Sequence, residues 1–173
     1  NKLLLKDLLG IRVDSLSQYV STDLIKAVVS LRERKEPQEI EDIEKACDTG
    51  YLMHTTAMRL CRPGIYEREI AGTIEGIALS RWAGISFTSI VSEHGETLHN
   101  HYYGNKLHPG RLLLVDAGAE TDRNYCSDFT RTMPIDGKFT QKQKDIYDIV
   151  LAANNGTFEH NTPGITYQSL HLE

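Results

Sequence analysis

What the sequence has little of narrows its function first. No apolar run approaches the roughly 20 residues that a bilayer-spanning helix requires, so no membrane partner is expected. Cysteine is scarce. Cys47, Cys61 and Cys126 are odd in number, widely separated and without a C-x-x-C pair, which argues against a disulfide or zinc framework and for reduced, buried thiols in a cytoplasm. Positive charge is in deficit: 19 Lys and Arg against 24 Asp and Glu leave a formal net charge of -5, so no nucleic-acid partner is expected. The basic cluster Arg32-Glu33-Arg34-Lys35 is interrupted by acid and reads as a solvated helix face.

What is present is the composition of a globular domain, 40% hydrophobic and 25% charged over 173 residues, long enough for one core of ordinary size. Residues 1–30 hold a helix around Thr22 to Val29 but no complete unit, and read as the tail of a preceding domain and a linker. The opening on Asn1, inside the apolar run Leu3-Leu4-Leu5, reads as a piece of a longer protein. Pro37 suits the first turn of a helix whose early acids Glu39, Glu41 and Asp42 sit at the positive end of its dipole. Ile40, Ile43, Cys47, His54, Ala57 and Cys61 recur at helical spacing, which predicts a helix to about Leu60 with that face buried. His54 on this face reads as a core or boundary histidine rather than a ligand.

Arg62-Pro63-Gly64-Ile65 breaks the helix. A second begins near Tyr66 to Glu69, buries Ile70, Ile74, Ile77, Ala78 and Trp82, and ends at Gly84. Segments Ser86 to Ser92 and Leu98 to Tyr103 are expected as strands. A further helix from Thr140 to about Glu159 would bury Ile146, Ile149, Val150 and Ala153. Thr162-Pro163-Gly164-Ile165-Thr166-Tyr167 echoes Arg62-Pro63-Gly64-Ile65-Tyr66 one hundred residues earlier, a single weak sign of duplication.

The chemistry concentrates in one stretch. Leu112-Leu113-Leu114-Val115 reads as a strand buried on both faces and ends directly in Asp116. A polar turn, Glu120 to Asn124, leads to a second strand-like run, Tyr125 to Met133, with Asp128 in its middle. If the turn closes a hairpin, the two carboxylates converge, and like charges so close call for a cation between them. A divalent metal fits that need better than an ordinary surface hairpin, because Asp116 follows four aliphatic residues. Val115-Asp116-Ala117-Gly118 also resembles the aspartic-protease signature, but Ala117 stands where that family has a hydroxyl residue and the helices do not suit an all-β protein. His99 and His101, two apart, would share one side of a strand, and without a third nearby ligand they read as polar strand residues.

Leu114-Val115-Asp116-Ala117-Gly118-Ala119-Glu120, Ser127-Asp128-Phe129-Thr130-Arg131-Thr132 and Gly137-Lys138-Phe139-Thr140-Gln141 together resemble the metal-binding core of Xaa-Pro aminopeptidases, of the pita-bread metallopeptidase family. His101-Tyr102 with Asn105, and Arg34 to Ile40, are similar to the same family. The resemblance implies an α+β pita-bread fold, of which this chain would supply the first half, with helices on one face of a curved, mainly antiparallel sheet and a truncated catalytic domain over residues 31–173. It implies that Asp116 and Asp128 are ligands of two divalent metal ions, manganese in the family, and that His101 lines the substrate site. His99 has no matched role. The implied reaction is hydrolysis of the N-terminal Xaa-Pro bond of peptides with proline at the second position. A prolidase-like dipeptidase and a non-enzymatic pita-bread binding protein are the alternatives.

The family completes its site with a histidine and two glutamates from the second half of the fold, and a further histidine beside the substrate. After Asp128 the histidines here are His160 and His171, in helical contexts, and Glu159 and Glu173 match nothing. An incomplete site predicts that this chain alone is inactive. A half sheet with an open edge and apolar face predicts self-association into a homo-oligomer.

Overall fold

Helices and short antiparallel strands alternate along the chain in a computed structural model that describes residues 2–172. The chain divides into two units, one running to Glu41 and the other beginning at Asp42. In the first, α1 (Lys2–Leu9), a 3-10 helix (Val13–Tyr19) and α2 (Thr22–Arg32) contain no buried residue. Ser21 caps α2, its hydroxyl accepting from the Leu24 N–H at 3.2 Å.

The second unit holds the core. Helix α3 (Pro37–Leu60) starts on the proline expected of a first turn and ends where Arg62-Pro63-Gly64 cannot continue it. Its buried residues within this unit are Asp42, Ala46, Thr49, Gly50, Met53, His54 and Ala57. The sequence pattern found His54 and Ala57 but misplaced the rest of the stripe: Ile40 is exposed, and Ile43, Cys47 and Cys61 are half-buried. The reason is close approach. A methyl group on Gly50 would stand 2.9 Å from the Phe129 ring and from the Ser127 hydroxyl, so small residues rather than the large aliphatics face the sheet here.

Helix α4 (Glu67–Arg81) buries Ile70, Ala71, Ile74 and Ala78, one stripe at helical spacing, and packs on the strands that follow. Between α3 and α4, Gly64 at φ +90° makes the turn, and Gly164 at φ +99° occupies the same place in the later echo, ahead of the helix Tyr167–Leu172.

The segment expected as one strand from Ser86 to Ser92 is two pieces, β1 (Gly84–Ile85) and β2 (Ile90–Ser92). They serve different sheets. β2, β3 (Leu112–Ala117) and β5 (Phe129–Pro134) form a three-stranded antiparallel sheet with β3 central, and β1 pairs with β4 (Ala119–Glu120). The pairs Ile90 with Asp116 and Asp116 with Thr130 set the register on both sides of β3.

Leu113, Val115 and Ala117 are buried against the helices with Val91 and Met133 beside them, whereas Leu112, Leu114 and Asp116 are only half-buried. The strand therefore alternates rather than being buried on both faces as its four aliphatic residues suggest. Leu98 to Tyr103 is a loop, not a strand. His99 takes a left-handed φ of 53°, and the Asn100 side chain accepts from the Tyr102 N–H at 3.0 Å, a local bond that competes with a ladder. Helix α5 (Gln141–His160) forms as predicted, with a capping box between Thr140 and Gln143. Its apolar stripe is not buried: Ile146, Ile149 and Val150 are all exposed.

Candidate functional site

Asp116 is the last polar residue of β3, on the half-buried face that also carries Leu112 and Leu114. Asp128 lies one residue ahead of β5, not in the middle of a strand as its run suggested. Because Asp116 pairs with Thr130, Asp128 occupies the diagonal position on the same face, where Cα atoms stand roughly 7 Å apart.

The turn between the aspartates is held by Ser127. Its hydroxyl donates to the Ala46 carbonyl of α3 at 2.8 Å and accepts from the Ala119 N–H at 3.1 Å. Its carbonyl accepts from the Ser86 hydroxyl at 2.7 Å. These bonds divert the chain at Ser127 and delay the β3–β5 ladder until Phe129. Gly118 leaves room for the turn: a Cβ there would lie 1.8 Å from the Ser127 carbonyl oxygen. At the tip, Arg123 reaches Asp42 at 3.3 Å, and Lys45 holds the same carboxylate at 2.9 Å.

A cleft of about 420 Å³ opens over this face, lined by Phe87, Thr88, Ile90, His99, His101, Asp116 and Asp128. The structure thus brings both aspartates and both histidines to one place. His99, to which the sequence assigned no role, stands in the cleft wall with His101. The His-x-His spacing was the signal for it, though the two reach the cleft from a loop rather than from one side of a strand.

The electrostatics of the pair are those of crowded anions. Partial burial, followed by the charge of Asp116 and the hydrogen bond that a protonated Asp128 donates to it, raises Asp128 above the ordinary carboxylate value of 3.8. Asp128 remains exposed on one side, so the effect is a modest one. The Oδ1 atom of Asp116 is buried without a hydrogen-bond partner among the described residues. A buried carboxylate oxygen left unpaired is costly unless a cation meets it, and two carboxylates are hard oxygen donors of the kind divalent ions take. The donor set therefore fits a metal. It is also a partial one: no group of three His, Cys, Asp or Glu residues that could hold a metal ion occurs among the described residues. Neither Glu159 nor His160 or His171, on the last two helices, lines the cleft, and Glu173 lies outside the described residues.

His54 stands just behind the site. It is buried, and its Nε2 lies 3.1 Å from the Ala117 carbonyl, so Nε2–H donates to the strand one residue past Asp116. Its ring meets Phe129 edge-on at 6.3 Å. Burial lowers its pKa from 6.5 and keeps the ring neutral, the state of a structural histidine. Burial likewise pushes the Cys61 thiol up to about 11, away from reactivity. Two residues that sequence reasoning missed are Glu67 and Glu93, both buried beside the loop that carries the histidines. Charged residues of an amphipathic pattern read as solvated, and nothing local marked these as interior.

Comparisons with known proteins identify the family and the fold. The model of metallopeptidase family M24 matches residues 41–173. The Xaa-Pro aminopeptidase of Escherichia coli is 35% identical over 158 residues, covering 90% of this chain and 36% of its own length. That of Haemophilus influenzae is 38% identical over 133 residues, 75% of this chain and 31% of its own. Among solved structures, proline aminopeptidase P II from Yersinia pestis superposes with a TM-score of 0.76 at 36% identity, over 82% of this chain and 33% of that one. Zinc-substituted E. coli aminopeptidase P in complex with product gives 0.76 at 36%, over 82% and 32%. The chain spans about a third of the length of the curated relatives it matches. With an α+β architecture of helices and antiparallel sheets and a convergent aspartate pair at the end of its central strand, the chain belongs to metallopeptidase family M24 and has the pita-bread fold seen in aminopeptidase P.

Proposed function

We propose that Asp116 and Asp128 are ligands of a pair of divalent metal ions, manganese by preference, in an enzyme that removes the first residue from peptides with proline at the second position. The observation that carries this reading is the buried Oδ1 of Asp116, without a hydrogen-bond partner among the described residues, in the cleft that Asp128 shares. When bound, such ions act as Lewis acids on a carbonyl and lower the pKa of water. The chain's own residues have the simpler tasks of holding charge and orienting substrate. Asp116 and Asp128 supply anionic oxygens whose mutual repulsion disappears once a cation lies between them. His101, in the cleft wall, would hydrogen-bond a peptide, and Phe87 and Ile90 give the cleft an apolar side. Spaced free thiols and a negative net charge support a cytoplasmic enzyme acting on peptides rather than on nucleic acid.

On this reading residues 31–173 belong to the catalytic domain and residues 1–30 precede it. The two aspartates are too few for tight metal binding or turnover, so this chain alone is inactive. Titration of the chain with manganese should show weak binding that Asp116→Asn and Asp128→Asn each abolish; equal binding by all three proteins would remove the aspartates from the site. Steady release of the first residue from an Xaa-Pro peptide by the 173-residue chain with manganese present would overturn the claim of inactivity.

A further inference from the structure

Glu67 is the first residue of α4 and is completely buried, although nothing in the aspartate site requires it. Its carboxylate is occupied entirely by N–H donors from the two stems of one loop. Oε1 accepts from the backbone N–H of Glu93 at 3.0 Å and from the Asn105 side-chain amide at 3.1 Å; Oε2 accepts from the backbone N–H of Asn105 at 3.0 Å. Glu93 directly follows β2, and Asn105 lies twelve residues later. Between them runs the segment that carries His99 and His101 into the cleft.

The backbone around Glu67 strengthens the closure. The Glu67 N–H donates to the Asn105 carbonyl at 3.0 Å, and the Arg68 N–H to the Tyr103 carbonyl at 3.2 Å. Both are N–H groups of the first helical turn, which have no partner within the helix and are free to hold a loop. Beyond Asn105, Leu107 exchanges backbone bonds with Gly64 and Ile65 at 2.9 Å each. Glu93 repeats the motif on its own side, accepting from the His108 N–H at 3.0 Å and from His108 Nδ1 at 2.8 Å. Within the loop the restraints are local: Ser92 Oγ accepts from the His94 N–H at 3.0 Å and from the Asn100 amide at 3.5 Å, and the Thr97 N–H donates to the His94 carbonyl at 2.9 Å. His94 Nδ1 lies 2.9 Å from Glu96 Oε1, and Asn100 Oδ1 accepts from the Tyr102 N–H; the Tyr103 hydroxyl donates to the Ser89 carbonyl at the stem. A loop whose internal bonds are local, with an exposed Leu98 and a left-handed His99, depends on its two feet for its place against the cleft. Both feet rest on one carboxylate.

We propose that Glu67 is a positioning residue: it clamps the stems of the 93–105 loop and so fixes where His99 and His101 enter the aspartate cleft. The clamp itself follows from the hydrogen bonds above; its relevance to substrate rests on the proposed role of His101. Carboxylate chemistry is specific here. A glutamine of the same shape retains one acceptor oxygen but turns an NH₂ group toward the remaining N–H donors, so it loses at least one of the three bonds and sets donors face to face. An alanine holds neither.

The test uses the isotope-labelled 173-residue chain as wild type, E67Q, E67A and N105A. Amide hydrogen exchange of residues 94–105 should accelerate about tenfold or more in E67A and by a smaller factor in E67Q and N105A, while Val115 and Arg131 at the centre of the β3–β5 ladder exchange as in wild type. Manganese added to the wild type should broaden the imidazole signals of His99 and His101, and this broadening should weaken in E67Q as the rings leave the cleft. Should E67A fail to fold, E67Q and N105A carry the same comparison. Exchange that rises equally in loop and sheet, or not at all in the loop, would overturn the clamp. Loop exchange as predicted with no manganese effect on any imidazole would instead leave the clamp standing and count against the metal reading.

Discussion

His54 Nε2 lies 3.1 Å from the carbonyl oxygen of Ala117, tying the middle of α3 to the strand residue next to Asp116. The bond crosses the core and ends one residue from the proposed ligand, so the ring acts as a strut for the site rather than as part of it. His54→Ala would leave a buried carbonyl unpaired and a ring-sized void against Phe129. A loss of about 2 to 4 kcal/mol in unfolding free energy is expected, measured by urea denaturation. The pH dependence has a definite sign. With its folded pKa depressed by burial, His54 binds its proton more readily in the unfolded chain, so stability should fall as pH drops below the unfolded value of about 6.5 and go on falling until the folded value is passed. His54→Gln should flatten that part of the profile.

Asp128 contributes with the opposite sign. Its folded pKa is raised by partial burial and by Asp116, so the folded state keeps the proton longer than the unfolded chain does. That contribution to stability is fully present below 3.8 and is lost as pH rises through the folded value. Asp128→Asn, which has no charge to crowd, should therefore be slightly more stable than wild type at pH 7 in a chelating buffer, by less than about 1 kcal/mol given the exposure of Asp128. Addition of millimolar manganese should reverse the order by raising the Tm of wild type only. A variant less stable than wild type in chelator would refute the repulsion argued for the pair.

Gly118 separates β3 from β4 at the point where the chain crosses Ser127. Since an added Cβ would overlap a backbone carbonyl oxygen at 1.8 Å, no side-chain adjustment can absorb Gly118→Ala. The expected cost is about 3 kcal/mol or more, with loss of the Ser127 bonds to Ala46 and Ala119. Gly50→Ala meets the Phe129 ring and the Ser127 hydroxyl at 2.9 Å, groups that can yield, and should cost about half as much by the same denaturation assay.

The site was legible in the sequence where the cause is local. Four aliphatics ending in Asp116, a polar turn and a second Asp need no tertiary information to suggest convergent carboxylates. Helix ends at Pro37, Gly64 and Thr140 are likewise written in caps and breakers. What escaped reading depends on partners distant in sequence. Ile43 and Cys47 yield the buried face of α3 to Ala46, Thr49 and Gly50, because at Gly50 the Phe129 ring and the Ser127 hydroxyl leave no room for a side chain. The 98–103 segment has strand-like composition, yet the Asn100 amide and the left-handed His99 divert it, and its stems are held by Glu67 about thirty residues earlier. No local pattern marks Glu67 as buried, since its carboxylate is satisfied only by amides the fold delivers.

The apolar stripe of α5 gives the last prediction. Ile146, Ile149 and Val150 lie three and four residues apart on one face and are 57%, 65% and 63% exposed, with Phe158 further along the helix at 76%. Stripes of this size on a helix are ordinarily covered, because leaving each large aliphatic in water forgoes roughly 1.5 to 3 kcal/mol. In the chain by itself the nearest available cover is a second copy, whose identical stripe is self-complementary about a two-fold axis. Sedimentation equilibrium should therefore give an average mass that climbs above 19.5 kDa with concentration, and Ile149→Glu, which sets a charge in the centre of the stripe, should hold the mass at the monomer value without lowering the Tm. A wild-type chain that stays monomeric at high concentration would show that the exposed stripe does not drive association.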